Sequence, residues 1–195
     1  MAQSTEDAVP GLTAEQPQTK DSVMATSLIG AHGLEHMYGH SFPVLVTALY
    51  ADLGLDPIQV GVLSAVRQLS SGATSMASGF FVDMFRHRQA QVLSISMAMI
   101  GIGYFLVSVS PTYTLILAAL LIASAGSALW HPPALGLLSQ RFPERRGLFI
   151  SLHRSSGNVG DMLGPLIAGG LLAWLSFTGS WRWIMGGGTP MLIIL

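Results

Sequence analysis

The sequence predicts an all-α, polytopic membrane protein, and three observations carry that reading. Half of its 195 residues are hydrophobic and only 10% are charged, against roughly a quarter charged in a soluble domain. The polar residues punctuate long apolar segments instead of recurring within them. The connections alternate in charge: two are basic, and those between them carry no positive charge. Mean hydropathy is +0.54, and a single soluble globule of this composition would leave too much apolar surface in water.

Residues 1–21 are polar, with Pro10, Gly11, Pro17 and four acids. They lack the basic flank, apolar core and cleavage site of a secretory signal, and read as a disordered tail. Six apolar segments follow, near 22–50, 57–82, 89–109, 112–140, 147–175 and 181–195, forming one six-helix transmembrane domain over 22–195. A spanning helix needs about 20 residues, so the first five are long enough with some excess for tilt. The sixth reaches Met191-Leu192-Ile193-Ile194-Leu195 still in apolar sequence.

Connections are short, as antiparallel neighbours in a bundle require. Tyr50 to Pro57 is acidic, with Pro57 suited to begin a helix, and Ser108 to Thr112 is neutral. Gly79 to Arg88 and Arg141 to Arg146 are the basic turns. The positive-inside rule puts those two turns, and with them the N-terminal tail, in the cytoplasm. Only Lys20 is basic in the tail, so the orientation rests on the loops. Arg145, Arg146 and Arg154 also suit topology signalling and contact with lipid phosphates.

Net charge is −1 and cysteine is absent, which leaves no basis for a nucleic-acid partner, a disulfide or a thiolate metal site. No cofactor is expected, because Gly186-Gly187-Gly188 follows no strand and lacks a following lysine. The 22 glycines suit helices that approach closely in lipid. Gly157, Gly160 and Gly164 recur at three or four residues as a smooth stripe, and Pro165 bends the same helix.

Ionisable residues inside spans are costly and mark functional candidates. The first span carries His32, Glu35, His36 and His40, with the histidines four apart along one drifting helix face. The second has Arg67, the fourth has His131-Pro132-Pro133, and the fifth has His153, Asn158 and Asp161. His40 precedes Pro43 as His131 precedes Pro132. Proline frees a backbone carbonyl near a polar side chain, and irregular helices at corresponding positions of two repeats point to a transporter's binding site. These residues therefore read as a substrate or proton pathway. The competing reading is that the histidines only bond helices together. His32-Gly33-Leu34-Glu35-His36 also matches the H-x-x-E-H pattern of a zinc peptidase, without an evident third ligand at that spacing. A transported or regulatory metal ion on His32 and His36 is the other alternative.

Gly79, Asp83 and Arg88 match the G-x-L-a-D-R-x-G-R-R/K signature between the second and third helices of the major facilitator superfamily. Phe81 stands in the aliphatic place, and Met84, Arg86 and His87 depart from the pattern. Gly126-Ser127-Ala128-Leu129-Trp130-His131-Pro132, Arg145-Arg146-Gly147, Gly157-Asn158-Val159-Gly160 and Leu163-Gly164-Pro165-Leu166 resemble the fosmidomycin-resistance branch of that superfamily, as does a first-helix histidine (His32) followed one turn on by His36. Gly160 to Gly169 is similar to the fifth-helix motif of drug antiporters, with Asp161 and Ala168 as departures. The resemblance covers about residues 28–175.

It implies one six-helix half, of 3+3 inverted repeats, from a twelve-helix secondary transporter in a bacterial cytoplasmic (inner) membrane. The expected activity is proton-coupled efflux of a small molecule by alternating access. A divalent-metal transporter and a non-transporting assembly subunit are the alternatives. Gly79, Asp83, Arg86 and Arg88 would latch the cytoplasmic face. The second half would come from a longer parent chain, a separate chain or a homo-oligomer partner. No enzymatic activity is expected.

Overall fold

The computed structural model describes residues 19–194. In the stretch 70–86, the side chains of Gly79, Asp83, Arg86 and several neighbours lie outside the description. Expectations for the tail before residue 19, and for those three members of the cytoplasmic motif, therefore fall outside the described residues. Among the described residues every regular element is helical. The helices are α1 (Thr19–Leu53), α2 (Pro57–Met84), α3 (Gln89–Val109), α4 (Tyr113–Arg141), α5 (Arg146–Leu175), α6 (Ser180–Gly187) and α7 (Thr189–Ile194).

Each boundary has a local cause. Gly54 ends α1 with φ +59, a left-handed conformation that glycine adopts without a Cβ penalty. Asp56 and Gln59 then form a reciprocal cap: Gln59 N donates to Asp56 Oδ1 at 2.8 Å, and Asp56 N donates to Gln59 Oε1 at 2.9 Å. Pro57 sits at the first helical position, where no backbone donor is needed. Thr112 Oγ1 accepts from Leu115 N to start α4. The basic connections are single 3₁₀ turns, Arg86–Arg88 and Pro143–Arg145. Phe142 and Phe149 stack across the second with ring centroids 3.8 Å apart.

The sixth segment departs from expectation. A single span over 181–195 does not form; α6 and α7 meet at Gly188 instead. Pro190 has no N–H to offer Gly186 O, which accepts the Thr189 hydroxyl at 2.7 Å instead. With three glycines beside that proline, continuous helix is costly. At 1.5 Å per residue, α6 covers about 12 Å.

Among the described residues, three segments are long and apolar enough to cross a membrane by length and composition: α3, α4 and Pro143–Leu175, with mean hydropathy 2.1, 1.8 and 1.2. Helix α1 has 35 residues, about 52 Å of helix, but its three histidines and Glu35 lower its hydropathy. Apolar side chains such as Phe105, Leu115, Leu166 and Trp174 face outward, as a lipid-facing surface requires.

Two pairings organise the bundle: α1 with α5, and α3 with α4, while α2 packs on α4 and α6 and α7 on α3. The α1–α5 seam is the glycine stripe. A Cβ on Gly160 would overlap Gly33 O, and one on Gly164 would overlap Met37 O. Ser41 Oγ, bonded within α1 to Met37 O, also reaches Gly164 O at 3.0 Å. Asp21 and Arg141 pair at 3.6 Å, so α1 starts at the same end as the basic α4–α5 turn. At the opposite end, Arg182 donates to Ser108 O and Ser110 O, and Trp181 Nε1 donates to Asp52 Oδ2 at 3.0 Å. That clasp ties α6 to α1 and α3, and no sequence motif announced it.

Candidate functional site

The histidines of α1 point at α4 and α5 and meet partners there. Helical spacing carries His32, His36 and His40 down one side of α1, and the missing side chain of Gly157 makes room for the first. A Cβ at 157 would come 2.7 Å from His32 Cε1. His32 is 4% exposed, donates from Nδ1 to His153 O at 2.7 Å, and stacks on the His153 ring at 3.7 Å. His153 is 1% exposed, and neither of its ring nitrogens has a hydrogen-bond partner.

His36 joins three helices. Its Nδ1 donates to Asp161 Oδ1 on α5 at 2.6 Å. Its Nε2 lies 3.5 Å from His131 Nε2 on α4 and 3.6 Å from Glu35 Oε2. His40 shares the same Asp161 oxygen at 2.7 Å and is half exposed. His131 donates from Nδ1 to Ser127 O, four residues earlier, at 2.8 Å.

Glu35 is 6% exposed. Ser127 Oγ donates to its Oε1 at 2.5 Å, and its Oε2 is buried without a hydrogen-bond partner. Ser127 has a part in the site that spacing alone did not assign. The available signal was its position four residues before His131, on the same face of α4.

Arg67 shows what the proline of α1 does. Pro43 cannot bond to the carbonyl of Gly39, and Arg67 Nη2 donates to that carbonyl at 2.8 Å. A cavity of about 40 Å³ lies beside it, lined by Glu35, Arg67, Gln68, Tyr104, Ser124 and Ser127. It has room for two or three waters.

The described residues thus bring together His32, Glu35, His36, His40, His131, His153 and Asp161, with Arg67 on the adjoining cavity. Asn158 is exposed on α5 and stands outside this group. Arg88 is exposed at the 3₁₀ turn after α2. Among the described residues, two sets have ligand atoms within 4.8 Å of one another: His32, Glu35, His36 and His131; and His36, His40 and Asp161.

Similarity to known proteins fits this architecture. The family model for the Major Facilitator Superfamily matches residues 31–195. The chain is 26% identical over 172 residues to the fosmidomycin resistance protein of Escherichia coli (strain K12), covering 82% of this chain and 42% of that protein. It is 24% identical over 139 residues to the uncharacterized MFS-type transporter YfnC of Bacillus subtilis (strain 168), covering 69% and 34%. It is 25% identical over 152 residues to the multidrug resistance protein MdtH of Yersinia enterocolitica, covering 75% and 37%. The chain spans less than half the length of these relatives. With its match running from α1 through α7, the chain belongs to the Major Facilitator Superfamily.

Proposed function

We propose that this chain forms the six-helix half of a secondary transporter that exports a small molecule by alternating access, coupled to protons. The supporting observation is the link from Asp161 through His36 to His131 and Glu35. It joins α5, α1 and α4 in a bundle whose other contacts are mostly apolar. An imidazole is the side chain most suited to relaying protons between such partners. With Nδ1–H committed to Asp161, His36 receives a proton at Nε2, between Glu35 and His131. The imidazolium is then flanked by Asp161, which draws α5 onto α1, and by Glu35, while its Nε2–H faces the His131 Nε2 acceptor on α4. Loss of that proton weakens both ties, which is the bistable element alternating access needs.

Arg67 is the counter-charge for an anionic group on the substrate. The adjoining cavity is water-sized, so substrate enters only when the helices part. Export as the direction draws on the names of two relatives, which are resistance proteins. The membrane is the bacterial cytoplasmic membrane, with the start of α1 on the cytoplasmic side by the charge of the turns. A second six-helix half or a second copy completes the path, and Gly79, Asp83, Arg86 and Arg88 latch its cytoplasmic face.

The test is transport in inside-out vesicles under an imposed pH gradient, using the chain alone and any longer reading frame that contains it. Accumulation of an anionic probe should follow the gradient, and His36→Gln with Glu35→Gln should abolish that dependence. Gradient-driven transport that persists in the double variant overturns the proposal.

A further inference from the structure

His32, His36 and His131 each commit Nδ1 as a donor to an oxygen: His153 O, Asp161 Oδ1 and Ser127 O. That is the arrangement by which outer partners fix a metal-binding imidazole, leaving the Nε2 lone pair free and the ring held in place. Two of these Nε2 atoms converge on Glu35 Oε2, the one buried carboxylate oxygen among the described residues that has no hydrogen-bond partner. Ser127 Oγ holds the other oxygen of that carboxylate.

The distances suit a metal. Tetrahedral zinc with nitrogen ligands near 2.0–2.1 Å requires ligand atoms about 3.3–3.4 Å apart. His36 Nε2 and His131 Nε2 are 3.5 Å apart. Glu35 Oε2 is 3.6 Å from the first and 3.9 Å from the second. His32 offers a ring nitrogen within 4.8 Å of one ligand atom from each of the other three residues. Adjustments of a few tenths of an ångström, somewhat more for His32, close the set. A nitrogen-rich site favours zinc, copper, nickel or cobalt over calcium or magnesium, which take oxygen ligands. The charges of Glu35 and Asp161 offset those of a divalent ion, which matters in a membrane interior.

We propose that His32, Glu35, His36 and His131 form a binding site for a divalent transition-metal ion of the zinc class. The ion satisfies Glu35 Oε2 and staples α1 to α4, opposing the helix separation that transport requires. The site shares side chains with the transport reading, but metal binding can be measured without transport.

The experiment is metal binding to the purified chain in detergent, carrying no histidine tag, with Zn²⁺ by equilibrium dialysis and Co²⁺ by visible absorption. One ion per chain and the intense bands of tetrahedral cobalt are expected. Glu35→Gln and His131→Gln should each weaken binding at least tenfold. Asp161→Asn, which removes the carboxylate orienting His36, should weaken it about 10–100-fold, and His40→Ala should leave it within about twofold.

Absence of stoichiometric binding to the wild-type chain overturns the proposal. So does binding that needs His40 and Asp161 but ignores Glu35 and His131, since the ion would then sit at the more exposed set. Where a variant fails to fold, zinc X-ray absorption on the wild-type chain decides: three imidazole ligands support the site, and fewer than two overturn it. Metal binding that survives without pH-driven transport defeats the transport reading alone; the reverse result defeats this one alone.

Discussion

Replacing Gly160 with alanine tests the α1–α5 seam, on which the geometry of the histidine cluster depends. The added Cβ would overlap Gly33 O and lie 2.9 Å from Met37 N and 3.0 Å from His36 Cβ. Ordinary van der Waals contact begins near 3.4 Å, so α5 must retreat from α1 by at least half an ångström, and further against the carbonyl. All these contacts are with helix backbone or Cβ, which cannot swing aside as the end of a side chain can. Overpacking of this kind costs about 1–3 kcal/mol, and 1–2 kcal/mol alone shifts the folded-to-unfolded ratio about 5- to 30-fold. The retreat also stretches the 2.6 Å bond from His36 to Asp161, one residue along.

Gly170, on the same helix, is the control: nothing lies within 4 Å of a Cβ there. Alanine is a better helix former than glycine by up to about 1 kcal/mol, so Gly170→Ala should be neutral or stabilising. Equilibrium unfolding of the purified chain in mixed detergent micelles reads both variants. Equal stability of Gly160→Ala and wild type would refute the close approach of α1 and α5, and the geometry of the histidine cluster would go with it.

Other expectations concern single contacts. Ser41→Ala removes the hydroxyl bridging to Gly164 O and should cost about 0.6 kcal/mol, the usual worth of an interhelical hydrogen bond in a membrane; the same unfolding assay checks it. Pro43→Ala restores the backbone donor to Gly39 O and so competes with Arg67. Transport of an anionic probe should fall while stability is unchanged or higher, and reduced stability would contradict the freed-carbonyl account. Arg182→Leu removes donors to Ser108 O and Ser110 O, so α6 should detach from α3 and limited proteolysis should cut sooner within residues 176–180. Asp56→Ala breaks the reciprocal cap of α2 and should cost about 0.5–2 kcal/mol of stability.

Much of the bundle was legible because lipid imposes simple rules. Helices are among the few structures that satisfy every backbone group there, so the apolar runs and punctuating turns of α1 to α5 stand out. The sixth segment was misjudged because composition averages over Gly186 to Pro190, where one missing donor divides the helix. In the site, the four-residue spacing of His32, His36 and His40 showed that they share a face of α1. It did not show that His36 and His40 both reach Asp161, or that Asn158, in the same helix, stands apart. The sequence assigned no site role to Ser127 or Arg182, because their roles rest on partners 92 and more than 70 residues away.

The sequence by itself determined the class of the protein, its helices and the ionisable residues inside them, because hydropathy and helical period are local properties. Tertiary structure alone decided which nitrogen of each histidine is engaged. It also decided which carboxylate oxygen of Glu35 is left over, and that Arg67 of α2 takes the carbonyl freed by Pro43. The histidine and carboxylate outcomes depend on how closely α1 approaches α5 and α4, and the approach to α5 is set by the absence of side chains at Gly157, Gly160 and Gly164. A pattern of small residues marks where helices can meet; their register, resolved to tenths of an ångström, fixes what the polar groups between them can bind.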